Sequence, residues 1–287
     1  MSVPTTELLA RPVRRRGRPA RVPASVIGSG LVVLFFVLAI VWPALLATHD
    51  PSHADILSTL QAPSGSHWLG TDAVGRDVYS RIVYGTRPSL LIGLGVMALG
   101  LAVAVVLGFA SGLGPRWLAQ PVNRVLEVLL AFPTLLLGLL FVALLGPSAT
   151  SLIVAVGIST APGYARLIRA QTLSVKGSAY VEAARALGHS RRTILVQHIA
   201  PNAFRPLVAL VALGIGTSIV WASGLSFLGL GVAPPSPEWG LLLSDGRANI
   251  TVAWWLEIFP GIAIVLVALS FTLIGRHLQD VVEGGRL

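Results

Sequence analysis

From residue 128 to residue 165 the chain carries no charged side chain. At about 1.5 Å per residue a single helix of that length would far exceed the roughly 30 Å hydrocarbon layer of a bilayer. Gly146-Pro147 divides the stretch, so it predicts two crossings rather than one. Other long apolar runs lie between Arg21 and Asp50, Arg87 and Arg116, Arg205 and Glu238, and Glu257 and Arg276. Each has room for the about 20 mainly apolar residues that a crossing needs. The sequence therefore predicts an all-α polytopic membrane protein with six transmembrane helices.

Composition agrees. Only 11% of the residues are charged and 54% are apolar, against about 25% charged in a soluble domain. The absence of cysteine excludes disulfides, thiolate metal sites and cysteine nucleophiles. A net charge of +9 does not imply a nucleic-acid partner, because the basic residues sit in short segments between apolar runs. Arg14, Arg15 and Arg16 before the first run raise the alternative of a signal peptide. That run is longer than the roughly 7–15 residues of such a segment, and no small-x-small cleavage site follows cleanly.

Basic residues also orient the chain. An inside N-terminus places the arginines of 11–21, Arg116, Arg124, Arg166, Arg169, Lys176, Arg185, Arg191, Arg192, Arg205, Arg276 and Arg286 on one side. Only Arg76, Arg81, Arg87 and Arg247 fall on the other. The positive-inside rule then puts both termini in the cytoplasm. The expected organisation is a basic cytoplasmic tail (1–24), a first span with an extracytoplasmic segment (25–88), a five-helix core (89–276) holding a cytoplasmic loop (171–204), and a cytoplasmic tail (277–287). Outside lie two sizeable segments, about 49–88 and 233–255. Trp254-Trp255 fits an interfacial aromatic belt. Residues 75–87, GRDVYSRIVYGTR, have roughly helical spacing and either lie flat on the membrane, cap the next span or form a solvated loop.

The loop between the fourth and fifth spans reads KGSAYVEAARALGHSRRTILVQHIAPNAFRP from Lys176. Glu182, Ala183 and Ala184 open a short helix that Gly188 ends, since glycine takes the left-handed conformation of a helix C-cap. Ser190 can cap a second helix that stops before Pro201. The alanines allow close approach by another protein, in the manner of a helix lying in a groove; an amphipathic loop without a partner remains the alternative. His189 and His198, on different helices, are assigned to the same docking surface, and no metal ligands are predicted.

The spacing E-A-A-x-x-x-G, ten residues, then I-x-P falls on Glu182, Ala183, Ala184, Gly188, Ile199 and Pro201. It resembles the signature loop of binding-protein-dependent ABC importer permeases, with Ala200 where leucine is common. HWLGTDAVGRDVYSRIVYGTRPSL (67–90) and SGLSFLGLGVAPPSPEWG (223–240) resemble segments of the C-type permeases of dipeptide and oligopeptide importers. The likeness runs from about 25 to 282, and the tail departs from it, with Arg276 and Gly284 where an acidic residue and a proline are expected.

That resemblance implies the type I ABC importer permease fold in a bacterial inner membrane. It implies a second, B-type permease subunit, two ATPase subunits and an extracytoplasmic solute-binding protein as partners. It assigns ATPase coupling to Glu182, Ala183, Ala184, Arg185, Gly188, Ile199 and Pro201. Gly70, Thr71, Asp72, Gly75, Arg76 and Asp77 would contact the binding protein or brace against the partner permease. Ser226, Phe227, Gly229 and Gly231 would serve the pore or its packing. Peptides are the implied solutes, with nickel chelates and glutathione as alternatives. No catalytic residue and no cofactor is expected in this chain. A phosphate-cradling loop ends in Gly-Lys-Ser/Thr, whereas the single lysine, Lys176, stands between Val175 and Gly177. ATP and Mg would be bound by the partner subunits. Gly188→Asp is expected to leave insertion intact and uncouple transport.

Two other classes fare worse. Ser226 and His277 suggest an intramembrane serine protease, but they fall at opposite ends of their spans, while a nucleophile and its base must lie about 3 Å apart. A secondary transporter would predict inverted repeats and interrupted helices at the midplane, and no convincing repeat is present.

Overall fold

The computed structural model describes residues 23–204 and 207–283. The arginines of 11–21, Arg205, Gly284 and Arg286, which carry part of the charge and tail readings, lie outside the described residues. Among the described residues every regular element is helical. α1 (Ala24–Val41) is followed by one turn, α2 (Pro43–Leu46). An irregular segment then leads to α3 (Val78–Leu113). α4 (Arg116–Ala131) and α5 (Thr134–Leu145) meet at a 98° bend. α6 (Ala149–Lys176) opens into a loop built from α7 (Ala179–Ala186), α8 (Arg191–Thr193) and α9 (Ala200–Phe204). α10 (Leu207–Leu225), α11 (Trp239–Gly246) and α12 (Trp255–Glu283) complete the chain.

Five helices (α1, α3, α6, α10 and α12) are each long and apolar enough to cross a membrane. How the chain between α3 and α6 crosses follows from their packing. Gly95 faces Ile153, Gly100 faces Gly157, Gly108 faces Ala165 and Ile168, and Gly112 faces Thr172. Residue numbers rise together along the seam, so α3 and α6 run parallel. Two parallel crossings need one return between them, and α4 with α5 is the chain available to make it. The charge-free stretch does split at Gly146-Pro147, as expected, but its first half is not one helix from Glu127. The residue before Pro133 is pushed out of the helical region, and Phe132 sits at φ −88° and ψ 137°. α5 alone is about 18 Å long. α4 turns aside with Arg116, Gln120, Arg124 and Glu127 along one stripe and Leu126 buried opposite, the pattern of a helix lying at an interface.

The second span also differs from expectation. α3 begins at Val78 and runs for 36 residues, about 54 Å at the standard rise. Asp77 caps it by accepting from the Ser80 N–H at 2.8 Å. Segment 75–87 is thus neither flat on the membrane nor a solvated loop: Val78, Ser80, Arg81, Ile82, Val83, Gly85 and Thr86 are buried in the protein.

Small residues set the packing distance along the seam. A Cβ on Gly108 would stand 2.7 Å from Ile168 Cγ2 and 2.9 Å from the Ala165 carbonyl. Close approach through small side chains is the usual basis of helix association in lipid, where no hydrophobic force drives helices together. Gly108→Leu is therefore expected to destabilise the chain by about 1–3 kcal/mol through overpacking. Gly163→Leu, where a Cβ meets nothing within 4 Å, serves as the control. Thermal unfolding of both variants in detergent checks this, and an equal effect would remove the seam from the account. Elsewhere α10 packs antiparallel to α12, with Leu213 near Gly275 and Gly216 near Ala268. Large apolar side chains such as Leu31, Val106, Leu144 and Leu269 stay exposed on the outer surface, which lipid or neighbouring subunits, rather than water, would cover.

Candidate functional site

Parallel α3 and α6 place two constellations at opposite ends of the molecule. One is the loop after α6. Gly177 caps α6, and Ser178 begins α7 with its carbonyl accepting from the N–H groups of Val181 and Glu182. On α7, Val181 and Ala184 point inward and join Val175, Ile194 and Ile199 in a small apolar cluster. Tyr180, Glu182, Ala183, Arg185 and Leu187 are exposed, and Leu187 is 77% exposed.

Gly188 ends α7 at φ +78°. Its N–H donates to the Arg185 carbonyl at 3.0 Å, and the His189 N–H donates to the Ala184 carbonyl at 3.1 Å. That pair of bonds is a Schellman turn, which needs a left-handed residue at the glycine position. Ser190 caps α8 by accepting from the Thr193 N–H at 3.1 Å, as its sequence position suggests.

The second helix does not stop before Pro201. It passes through a π-helical stretch, Ile194–Ile199, where the Ala200 N–H reaches back to Leu195, and continues through Pro201 to Phe204. Proline supplies no N–H to the usual bonding pattern, and a wide π turn accommodates the missing donor. The signature spacing thus has a packing meaning. Ala184 and Ile199, both assigned to coupling, are buried together and hold the two helices of the loop back to back. Glu182, Ala183, Arg185, Gly188 and Pro201 are left on the surface. His189 and His198 do come together, with ring centroids 5.8 Å apart. His198 Nε2 is buried without a hydrogen-bond partner among the described residues.

The other end carries the segment before α3. Asp72 is the hub of a buried ion network. Its Oδ2 accepts from Arg76 Nε and Arg81 Nη1, each at 2.7 Å, and its Oδ1 accepts from the N–H groups of Val74 and Arg76 at 2.9 Å. Asp77 accepts from Ser80 and is 2% exposed. Both carboxylates make hydrogen bonds within this chain. Thr71 accepts from the Gln61 N–H at 2.8 Å, and its carbonyl accepts from Trp255 Nε1 at 3.1 Å. A Cβ on Gly70 would crowd the same indole, and one on Gly75 would run into the Asp55 carbonyl. Trp255 is consequently buried, and of the Trp254-Trp255 pair Trp254 alone is exposed in the manner of an aromatic belt.

Span five ends in a kink at Gly229. Just before it, buried Ser226 donates to Glu238 at 2.5 Å. Glu238 also caps α11, accepting from the N–H groups of Gly240 and Leu241 at 2.9 and 2.8 Å. Burial pushes the Glu238 carboxyl up, against those three hydrogen bonds. Gly231 packs on Ser226, and Phe227 lies under the Arg247 guanidinium at 5.8 Å. Ser226 and Gly231 are packing residues, and Ser226 is hydrogen-bonded to a carboxylate rather than a histidine. Sequence reading missed Glu238 and Trp239. Trp239 is fully buried, donating from its indole to the Ile82 carbonyl at 3.0 Å and from its N–H to Ser89 Oγ at 2.9 Å. The E-W-G run was visible, but nothing local tells that its partners lie on α3. The absence of predicted metal ligands also meets a finding: the fold brings donor atoms of His49, His67 and Asp77 within 4.8 Å of one another.

Five long apolar helices with a bent pair that makes a sixth crossing, a helical loop at one end and a braced platform at the other define a multi-pass membrane protein. Residues 100–285 match the model for the binding-protein-dependent transport system inner membrane component. The dipeptide transport system permease protein DppC of Alkalihalophilus pseudofirmus is 39% identical over 88% of this chain and 83% of its own length. The glutathione transport system permease protein GsiD of Pectobacterium atrosepticum is 39% identical over 90% of this chain and 86% of its own. A probable D,D-dipeptide transport system permease protein, DdpC of Escherichia coli K12, is 39% identical over 89% of this chain and 86% of its own. Among solved structures, a chain of an amino acid ABC transporter superimposes with a TM-score of 0.57 at 15% identity, covering 70% of this chain and 93% of that one. A chain of the inward-facing MetNI methionine ABC transporter gives 0.55 at 18% identity, covering 69% of this chain and 95% of that one. The fold is that of type I ABC importer permeases. The chain belongs to the family of binding-protein-dependent transport system inner membrane components.

Proposed function

We propose that this chain forms one half of the translocation path of an ATP-driven importer of short peptides. A homologous permease supplies the other half, two ATPase subunits bind ATP and Mg, and an extracytoplasmic binding protein delivers the solute. Both termini face the cytoplasm. The observation that carries the reading is the exposed face of α7, Tyr180, Glu182, Ala183, Arg185 and Leu187, on a helix pinned by its own buried cluster and closed by the Gly188 turn. A rigid short helix with an unpartnered face suits docking in a cleft of an ATPase subunit. Closure of the ATPase pair would then move α7 with α6 and α10 as a body and switch the path between inward-open and outward-open. Relatives named for dipeptides, D,D-dipeptides and glutathione, itself a peptide, support the solute class.

The test is ATP hydrolysis by the lipid-reconstituted complex with and without peptide-loaded binding protein. Stimulation by the loaded protein supports the reading. An assembled complex that no peptide stimulates overturns the solute class, and failure to assemble with ATPase subunits overturns the coupling role. Leu187→Asp, at the exposed tip, is expected to reduce stimulated hydrolysis by about tenfold or more while the chain still inserts, as for loss of an interface anchor. Unchanged stimulation would move the docking surface elsewhere.

A further inference from the structure

We infer that His49, His67 and Asp77 form a binding site for a divalent first-row transition metal, best matched by zinc, at the outer end of α3. His67 Nδ1 lies 2.9 Å and His49 Nδ1 3.8 Å from the same oxygen, Asp77 Oδ1. Donor atoms at the corners of a tetrahedral zinc site, with bonds of about 2.0–2.1 Å, stand roughly 3.3 Å apart. The two separations to Asp77 bracket that value, and all three donor atoms lie within 4.8 Å of one another, so side-chain rotation is what would bring them onto one ion. Two imidazoles and one carboxylate are a donor set that suits zinc and its neighbours rather than magnesium or calcium.

Helix capping accounts for only part of the cluster. Asp77 Oδ2 accepts from the Ser80 N–H at 2.8 Å and from Thr48 Oγ1 at 3.3 Å, which fixes the carboxylate and turns Oδ1 toward the histidines. Nothing in that cap calls for a second imidazole. Yet the His49 and His67 rings lie 4.7 Å apart, and His49 Nδ1, 3.0 Å from Thr48 Oγ1, faces the same carboxylate oxygen that His67 contacts. The carboxylate is held in place by Ser80 and Thr48, and a cleft gives an ion an entry path. The three ligands line an open cleft of about 260 Å³ together with Asp50, His53 and Asp55. Three protein ligands leave a fourth position facing the cleft, for water or one of those side chains. An ion there clips the segment after α2 to the N-terminus of α3, closing the outer platform much as a cross-link closes a loop. Coordination replaces the His67–Asp77 hydrogen bond, with the ring proton moving to the other nitrogen.

The site is independent of any transport reading and is tested by binding alone. The full chain, purified in detergent through a tag without histidine and stripped with chelator, is titrated with Co(II), and visible d–d absorption is recorded. The absence of cysteine removes thiolate sites from the background. The expected result is one Co(II) per chain with intense tetrahedral bands that Zn(II) displaces. His49→Ala, on a side chain 41% exposed and outside the cap, should weaken binding by about tenfold or more. His189→Ala, in the other histidine pair, should not change it. A wild-type chain without the bands, or bands unchanged in His49→Ala, overturns the assignment.

Discussion

Asp72→Ala is expected to destabilise the chain by about 3–5 kcal/mol, the usual result of removing one partner from a buried ion pair. The size follows from what stays behind. Arg81 is 2% exposed and, among the described residues, would keep only the Ser236 carbonyl at 3.4 Å within hydrogen-bonding reach, besides the charge of Asp245 nearby. Its Nε already lacks a partner. Loss of Asp72 also frees the N–H groups of Val74 and Arg76 and the side chain of Arg76. The measurement is the thermal unfolding midpoint and folded yield of the purified chain in detergent. Arg81→Met in the Asp72→Ala background should recover much of the loss, because the uncompensated charge goes with it. A single variant as stable as wild type would show that the platform is held by its apolar contacts alone.

Gly188→Val is expected to leave the membrane core intact and to abolish most coupling, with peptide-stimulated ATP hydrolysis down by about tenfold or more. A left-handed conformation costs a non-glycine residue about 1–3 kcal/mol, and a β-branched one sits at the upper end. The local energy is modest, but it falls on the turn that orients α7 and Leu187. Beyond its chain neighbours, no heavy atom of the described residues lies within 4 Å of a Cβ at this position, so the substitution meets no steric clash there. Gly188→Asn, which tolerates the left-handed region, should retain more activity. The same tolerance makes Asp a milder choice than valine. Equal loss in the asparagine and valine variants would point to a direct contact at Gly188 instead of a backbone effect. Both variants should match wild type in folded yield, which separates uncoupling from misfolding.

Much of this molecule was legible in one dimension because the relevant physics is local. A run of apolar residues long enough to span hydrocarbon declares itself by length alone, and each of five such runs lies in a long apolar helix, though α3 starts earlier and α6 ends later than the charges suggest. Caps are equally local: Ser190 and Gly188 act through backbone atoms a few residues away. Where a proline intervened the reading slipped, because the consequence of a missing N–H depends on context. Pro133 bent its span by 98°, Pro88 lies inside α3, and Pro201 is absorbed beside a π turn.

What the sequence determined by itself is a helical membrane protein with six crossings, a capped loop after the fourth, and membership of a permease family. Only the tertiary structure decided how individual polar side chains are used. Trp239 finds its acceptor 157 residues away and Trp255 finds one 184 residues away. Asp72 and Asp77 turn inward, Ala184 and Ile199 become a seam within the loop, and His49 meets His67 over one carboxylate oxygen. The reason is one of range. Burial of a crossing and closure of a cap are set by neighbours in the chain, whereas the partner of a buried polar group is chosen by how parallel and antiparallel helices dock.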